Sequence, residues 1–348
     1  TGTDFVTKRD IIVSPSTSST TSVNDTSTAN ANSASPDKPS GPIIDAVFTF
    51  VNGSDPKLIA QMKHYGKVDP ERVRDIGQLR YAMRSAFMHA PYIRNFIIVV
   101  SDKQAQTPSW LNSTHPRVRV VEHKEIFNKT SYLPSMNADA IEWAVVNIPD
   151  LAPLYLYFDD DFAIQTKLEL SSIWRAPKFV LWEAWEAPRK AVEVKDTYGK
   201  SLAFVRQLYD KKYGVIESRR VGSHVPMLFD IAVMKKIMDD FPQEFEDMFR
   251  HNPFRTNRNM QIHFAYQQYI RHHFPYEIAS APHVHFSNLQ RNFAHNERVF
   301  AEIKKEPRQF MCLQDAFANS IASREVVDQI DKLYKEIFPV KGPWEILD

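Results

Sequence analysis

Between residues 43 and 158 the apolar positions fall into short continuous runs, separated by segments in which they recur at helical spacing. "PIIDAVFTFVNG" is an apolar run closed by Asn52 and Gly53; "NFIIVVSD" is a second, "RVRVVEH" a third and "LYLYF" a fourth. Runs this short, bounded by turn formers, read as buried strands. Among the intervening segments, "DIGQLRYAMRSAFMHAPYI" sets Leu79, Met83, Ala86 and Ala90 at helical spacing, with Asp75 in the N-cap region and Pro91 just past the end. "NADAIEWAVVNI" predicts another helix. Strands alternating with helices imply parallel pairing, so the expected fold class is α/β: a Rossmann-like, mostly parallel sheet with helices on both faces.

Past residue 165 the helical period returns in "SLAFVRQLYDKKYG", "MKKIMDDFPQEFEDMF" and "MQIHFAYQQYIRHHF", which predicts a helical C-terminal portion completing the site. "FVLWEAWEAPRK" fits neither period. At the other end, residues 14–42 lack the apolar side chains that would offset ordering entropy. Residues 1–42 are therefore expected to be a disordered Ser/Thr-rich linker or stalk, and residues 43–348 a single catalytic domain.

Composition narrows the picture. The 348 residues are 43% hydrophobic, enough for a real core. Lys plus Arg number 43 and Asp plus Glu 42, so overall charge gives no reason to expect nucleic acid or an anionic membrane surface as a partner. Cys312 is the sole cysteine, which excludes an internal disulfide and a cysteine-based zinc site. No run reaches the roughly 20 apolar residues of a membrane span. Because the sequence begins at Thr1, a membrane link is expected only through an anchor upstream of it. Sequons at Asn24, Asn52, Asn112 and Asn128 would matter only in a secretory compartment.

Candidate chemistry gathers at strand ends. In a parallel sheet, ligands bind outside the carboxyl ends of the strands, where "VNGSD", "VSD" and "FDDD" should meet. Asp159, Asp160 and Asp161 end an apolar run abruptly, and adjacent carboxylates repel unless a cation or donors stand near. Such a run suits Mg2+ or Mn2+ beside a nucleotide diphosphate, and it also suits a plain solvated turn. "VNGSDP" offers Asn52, the Gly53 backbone, a hydroxyl and Asp55, which fit a phosphate or ribose but also make an ordinary turn. Arg80 and Arg84 share a helix face near Arg74 and Asp75, as a phosphate clamp or as a solvated face. His224 fits an acid, a base, a phosphate donor or a structural hydrogen-bonder. Arg255 and Asp315 are unremarkable singly. His283 and His285 look metal-like but lack a third ligand, and Trp182 and Trp185 suit core packing better than sugar stacking.

Taken in order, "DAVFTFVNGSDP", "RDIGQLRYAMRSAFMHAPYIRNFIIVVSD" through "EHKEIF", and "LPSMNADAIEWAVVNIPDLAPLYLYFDDDF" resemble the first two signature regions of the Stealth family. "GSHVPMLFDIAVMKKIMDDFPQEFEDMFR" with "FRTNRNMQIHFAYQQY" resembles the third, and "RQFMCLQDAF" the fourth. That family includes the catalytic α/β subunit of the GlcNAc-1-phosphotransferase that acts on lysosomal enzymes. It also includes microbial and fungal hexose- or pentose-phosphate transferases. The resemblance implies transfer of a sugar-1-phosphate from a nucleotide diphosphate sugar to a hydroxyl of a glycan acceptor, with release of a nucleoside monophosphate.

Carried onto this sequence, it implies Asp161, His224 and Asp55 as catalytic residues, and Asp159 and Asp160 as ligands of Mg2+ or Mn2+. Asn52, Gly53, Arg74, Asp75, Arg80, Arg255 and Asp315 are implied as substrate or phosphate contacts. The family pattern at the aspartates is usually Asn-Asp-Asp, so Asp159 departs from it; where an acidic pair often follows the arginine, this chain has Arg258 and Asn259. A stalk ahead of the domain fits a Golgi lumen or secretory location. The same residue types would serve a conventional metal-dependent glycosyltransferase that releases a nucleoside diphosphate, or a catalytically decayed carbohydrate-binding protein.

Overall fold

The computed structural model describes residues 41–66, 73–251, 253–279, 283–317 and 324–346. The Ser/Thr-rich segment expected to be disordered lies outside these residues, apart from its last two positions. In chain order the elements that matter for the site begin with β1 (Ile44–Thr49), α1 (Pro56–His64), α2 (Gln78–His89), β2 (Ile93–Val100) and β3 (Val118–Glu122). There follow α3 (Ala138–Ala144), β4 (Leu154–Phe158), β5 (Phe162–Ile164), α4 (Thr197–Tyr213) and β6 (Met227–Asp230). The last are α5 (Ile231–Asp240), α6 (Pro242–His251), α7 (Ile262–His273), β7 (Val284–Leu289), β8 (Phe310–Asp315) and α8 (Arg324–Ile337).

The central sheet runs β6-β4-β1-β2-β3, with β1, β2, β3 and β4 parallel and β6 antiparallel at one edge. Because side chains alternate along a strand, one set of residues feeds each face. Val47, Ile97, Val99, Tyr155 and Tyr157 pack with α3, α4, α5 and α7 through Trp143, Leu202, Val233 and Phe264. Ala46, Phe48, Ile98, Leu156 and Phe158 pack on the opposite face with Leu79, Ala82, Met83 and Ala86 of α2. The expected mostly parallel sheet covered on both faces is present, and α2 ends at Ala90, just before Pro91.

One feature exceeds the sequence-based expectation. The C-terminal portion is not purely helical: β7 and β8 form a second sheet whose third strand is β5, in the order β7-β8-β5. The strand β5 follows β4 after the three aspartates, so Asp159–Asp161 is the seam at which the chain leaves one sheet and enters the other. "FVLWEAWEAPRK" resolves into two short strands, Lys178–Leu181 and Glu183–Glu186, each paired with a remote segment, Tyr276–Ile278 and Arg220–Gly222. Among the described residues no helix is long and apolar enough to cross a membrane.

Candidate active site

The carboxyl ends of β1 and β4 lie side by side because these strands are parallel neighbours, Phe48 pairing with Phe158. Tyr157 places its hydroxyl between Thr49 Oγ1 at 2.8 Å and Asp159 Oδ1 at 3.0 Å. With the phenol donating to the carboxylate, Thr49 donates to the phenol, and the relay fixes the first aspartate. At the other end of the seam, Cys312 Sγ donates to Asp161 Oδ2 over 3.3 Å. Burial, then repulsion from Asp161, Asp159 and Asp75, pushes the Asp160 carboxyl well above the usual range. Burial and the charge of Asp159 raise Asp161 to about 7. The seam is short of positive charge.

Part of the compensation comes from α3 and the loop before α7. Asp139 and Glu142, three residues apart on α3, share a helix face and are both buried. Arg255 reaches between them, with Nε 3.7 Å from Asp139 Oδ2 and Nη2 3.7 Å from Glu142 Oε1. Burial opposes the guanidinium charge, but Asp139, Glu142 and Asp159 more than offset it, so Arg255 is held firmly protonated. Asn259 Nδ2 donates to Asn137 Oδ1 at 2.6 Å and to Asp139 Oδ2 at 2.9 Å. Burial, reinforced by Asp159 and Asp139, raises the Glu142 carboxyl well above its ordinary value.

Several buried polar atoms here carry no hydrogen bond among the described residues: Arg255 Nε, Asp139 Oδ1, Glu142 Oε2 and His263 Nε2. Buried polar atoms are nearly always satisfied, so such a concentration marks a place built for something else to bind. Burial pushes His263 down to about 4, against the opposing charge of Asp159. His224 is lowered as well, by burial partly opposed by Asp159. Its ring stands between Phe162 and Phe286, with centroids 6.1 and 4.7 Å away.

The structure thus brings Asp159, Asp160, Asp161, His224 and Arg255 into one electrostatic neighbourhood, with Asp75 at its border. Other expected site residues are otherwise engaged. Asp55 caps α1: Oδ1 accepts from Lys57 N at 2.9 Å and Oδ2 from Gln106 Nε2 at 2.7 Å. Asn52 Oδ1 accepts from the Ser54 backbone and hydroxyl, and its own N–H donates to Gln106 Oε1. At Gly53 an added Cβ would lie 2.0 Å from the Val73 carbonyl oxygen, so the neighbouring backbone requires glycine there.

On α2 the two arginines meet a carboxylate from the far end of the chain. Arg80 Nε lies 2.9 Å from Glu345 Oε2, and Arg84 grips the same carboxylate through Nε at 2.7 Å and Nη2 at 2.6 Å. These arginines anchor the segment around Trp344. Arg74 pairs with Asp315 and lies over the Phe317 ring, so these two expected contacts hold each other. His283 bonds Ser223 Oγ, His285 bonds the Glu306 carbonyl, and Trp182 is buried, in keeping with structural roles.

The crowded carboxylates of the seam supply hard oxygen donors of the kind a divalent cation takes. Among the described residues, however, no group of three or more His, Cys, Asp or Glu side chains is arranged to hold a metal by itself. Asp139, Glu142, Asn137 and His263 escaped sequence reasoning. The signal available was the pair of acids on one face of an otherwise apolar helix, "NADAIEWA".

An α/β chain with an acidic seam at its sheet edge is the class that fold and site define. Residues 72–180 match Stealth protein CR2, conserved region 2, and residues 223–272 match Stealth protein CR3, conserved region 3. It is similar to the exopolysaccharide phosphotransferase SCO2594 of Streptomyces coelicolor, at 27% identity over 87% of this chain and 51% of that protein. It is similar also to the exopolysaccharide phosphotransferase CpsY of Mycobacterium tuberculosis, at 26% identity over 87% of this chain and 58% of that protein. The chain therefore spans between half and three-fifths of these relatives. The Golgi location expected from the stalk is overturned, because these relatives, and one from Nocardia farcinica, are bacterial. Among solved structures, the galactosyltransferase LgtC aligns with a TM-score of 0.39 and 12% identity over 86% of this chain and 98% of that one. That score is too low to bear on the chemistry.

Proposed function

We propose that residues 43–348 are a catalytic domain that transfers a sugar-1-phosphate from a nucleotide diphosphate sugar to a hydroxyl of a glycan acceptor. A nucleoside monophosphate is the second product. The observation that carries this reading is the seam itself: a carboxyl at about 7, Asp161, beside uncompensated carboxylates and within the same field as Arg255 and His224. The bacterial relatives named as exopolysaccharide phosphotransferases support it.

A sugar hydroxyl is too weak an acid to ionise unaided near neutrality, so a base must take its proton as the oxygen attacks. Asp161 has that role: a carboxyl near 7 both accepts a proton at neutral pH and releases it afterwards. The acceptor oxygen forms a bond to the phosphorus next to the donor sugar. The bond from that phosphorus to the bridging oxygen breaks, and the electron pair leaves on the nucleoside monophosphate. Arg255, whose Nε is unsatisfied and whose side chain keeps 31% exposure, binds the transferred phosphate. His224 makes no hydrogen bond to the described residues, which leaves its ring nitrogens for the phosphate or the leaving group. Asp159 and Asp160 would hold a divalent cation, Mg2+ or Mn2+, whose charge offsets that of the diphosphate when bound, with water and phosphate oxygens completing its shell.

The test is to incubate the protein with Mg2+ or Mn2+, a panel of UDP- and GDP-sugars and simple mannoside acceptors, and to identify the nucleotide released. Nucleoside monophosphate, with phosphorus retained in the glycan product, is expected. Nucleoside diphosphate would overturn the reading in favour of a conventional glycosyltransferase, and glycan binding without turnover of any donor in favour of a decayed enzyme.

A further inference from the structure

On the second sheet, β7 pairs in parallel with β8, Phe286 opposite Cys312 and Asn288 opposite Gln314, and β8 pairs with β5, Cys312 opposite Phe162. Residues directly opposite one another, and residues two apart on one strand, share a face. Phe162, Cys312, Gln314, Phe286 and Asn288 therefore look to the same side, the side on which the Cys312 thiol meets Asp161. Phe162 and Cys312 are buried, while the Phe286 ring is 46% exposed although it packs against His224 with centroids 4.7 Å apart. Asn288 is exposed and Gln314 half-buried, and neither side-chain amide has a hydrogen-bond partner among the described residues.

From this arrangement we propose that Phe286, Asn288 and Gln314 form the subsite for the acceptor sugar, a proposal that rests on the transferase reading above. An exposed phenyl ring offers an apolar plate for the C–H face of a pyranose. Two neighbouring amides offer donors and acceptors together, which matches vicinal hydroxyls that both give and take hydrogen bonds. None of the five side chains in the row is charged, so the row suits a neutral sugar and not a diphosphate, whose charge is met at Arg255. The row ends at Cys312, beside the carboxylate that must reach the attacking hydroxyl. A sugar lying on Phe286 has that carboxylate and His224 as its neighbours.

The test compares wild type with Phe286→Ala, Phe286→Trp, Asn288→Ala and Gln314→Ala. Binding is read without any donor, by saturation-transfer NMR on methyl glycosides of mannose, glucose, galactose and N-acetylglucosamine. Kinetics follow with whichever donor is turned over. For Phe286→Ala we expect the saturation transfer to vanish and the acceptor KM to rise about tenfold, with Phe286→Trp retaining both. The two amide variants should raise the acceptor KM by several fold. Unaltered acceptor binding in all variants, or no saturation transfer to the wild type, would overturn the proposal. If no donor is turned over but the saturation transfer depends on Phe286, the transferase reading falls and the sugar subsite stands.

Discussion

Cys312 Sγ donates to Asp161 Oδ2 across 3.3 Å, and these residues are far apart in sequence but joined by adjacent strands. The thiol is fully buried, and burial followed by the charge of Asp161 raises its pKa well above the usual thiol range, so it stays a donor at any working pH. Replacing Cys312 by Ala should lower turnover about tenfold by leaving a buried carboxylate oxygen without its donor, and Cys312→Ser should restore much of the loss. Steady-state kinetics of the two variants check this.

Asp161→Asn and Asp55→Asn should behave oppositely. The first removes the proposed base and should reduce kcat by about a hundredfold or more. The second keeps a helix cap but loses the acceptor of Gln106 Nε2, and should cost about 1 kcal/mol of stability while leaving kcat near wild type. A large loss of kcat in Asp55→Asn at a temperature where it is folded would restore the catalytic role that its hydrogen bonds argue against.

Removing Arg255 leaves Asp139 and Glu142 facing each other without a cation. Arg255→Met should abolish measurable transfer and lower stability by about 2 kcal/mol, less than for a fully buried pair because the guanidinium is partly exposed. Adding Glu142→Gln to that variant should return much of the stability and none of the activity. Thermal denaturation and product analysis separate the two effects.

Stability should depend on pH from both sides. Asp161 is raised from 3.8 to about 7, so its contribution is fully present below 3.8 and is lost as pH rises through 7. His123 and His263 are lowered by burial from 6.5 to about 4, so their contribution is present above 6.5 and is lost as pH falls through 4. The metal-free protein should melt highest between these limits. Mn2+ should raise the Tm more at pH 8 than at pH 5.5, since the metal must displace protons from raised carboxyls. An equal rise at both values would argue against Asp160 lying at the metal site.

Glu345 is gripped by Arg80 and Arg84 with its side chain fully buried. Glu345→Ala should destabilise the fold by about 3 kcal/mol through the buried arginines it abandons. At permissive temperature the donor KM should stay unchanged, because neither arginine is assigned to the phosphates.

The sheet was legible in the sequence because β1, β2 and β4 are buried on both faces and leave uninterrupted apolar runs, and α2 because its stripe meets only one face. The aspartates at the seam were legible because a charge cluster after such a run is locally anomalous. What could not be read was set by contacts made far along the chain. Arg80 suited a phosphate clamp or a solvated face, and its pairing with Glu345 depends on the other end of the chain. Asp139 and Glu142 passed unnoticed because Arg255 and Asn259, which meet them, lie far along the chain. "FVLWEAWEAPRK" had no period because each of its short strands depends on a remote partner.

The seam also fixes when in its own synthesis the protein becomes competent. The last strand of the central sheet ends at Asp230, but β5 has no partner until residues Phe310–Asp315 have left the ribosome. For that interval the three aspartates hang from a finished sheet with neither the thiol nor the aromatic row beside them. A nascent chain stalled at residue 300 should fold its first sheet and still hold no place for a sugar.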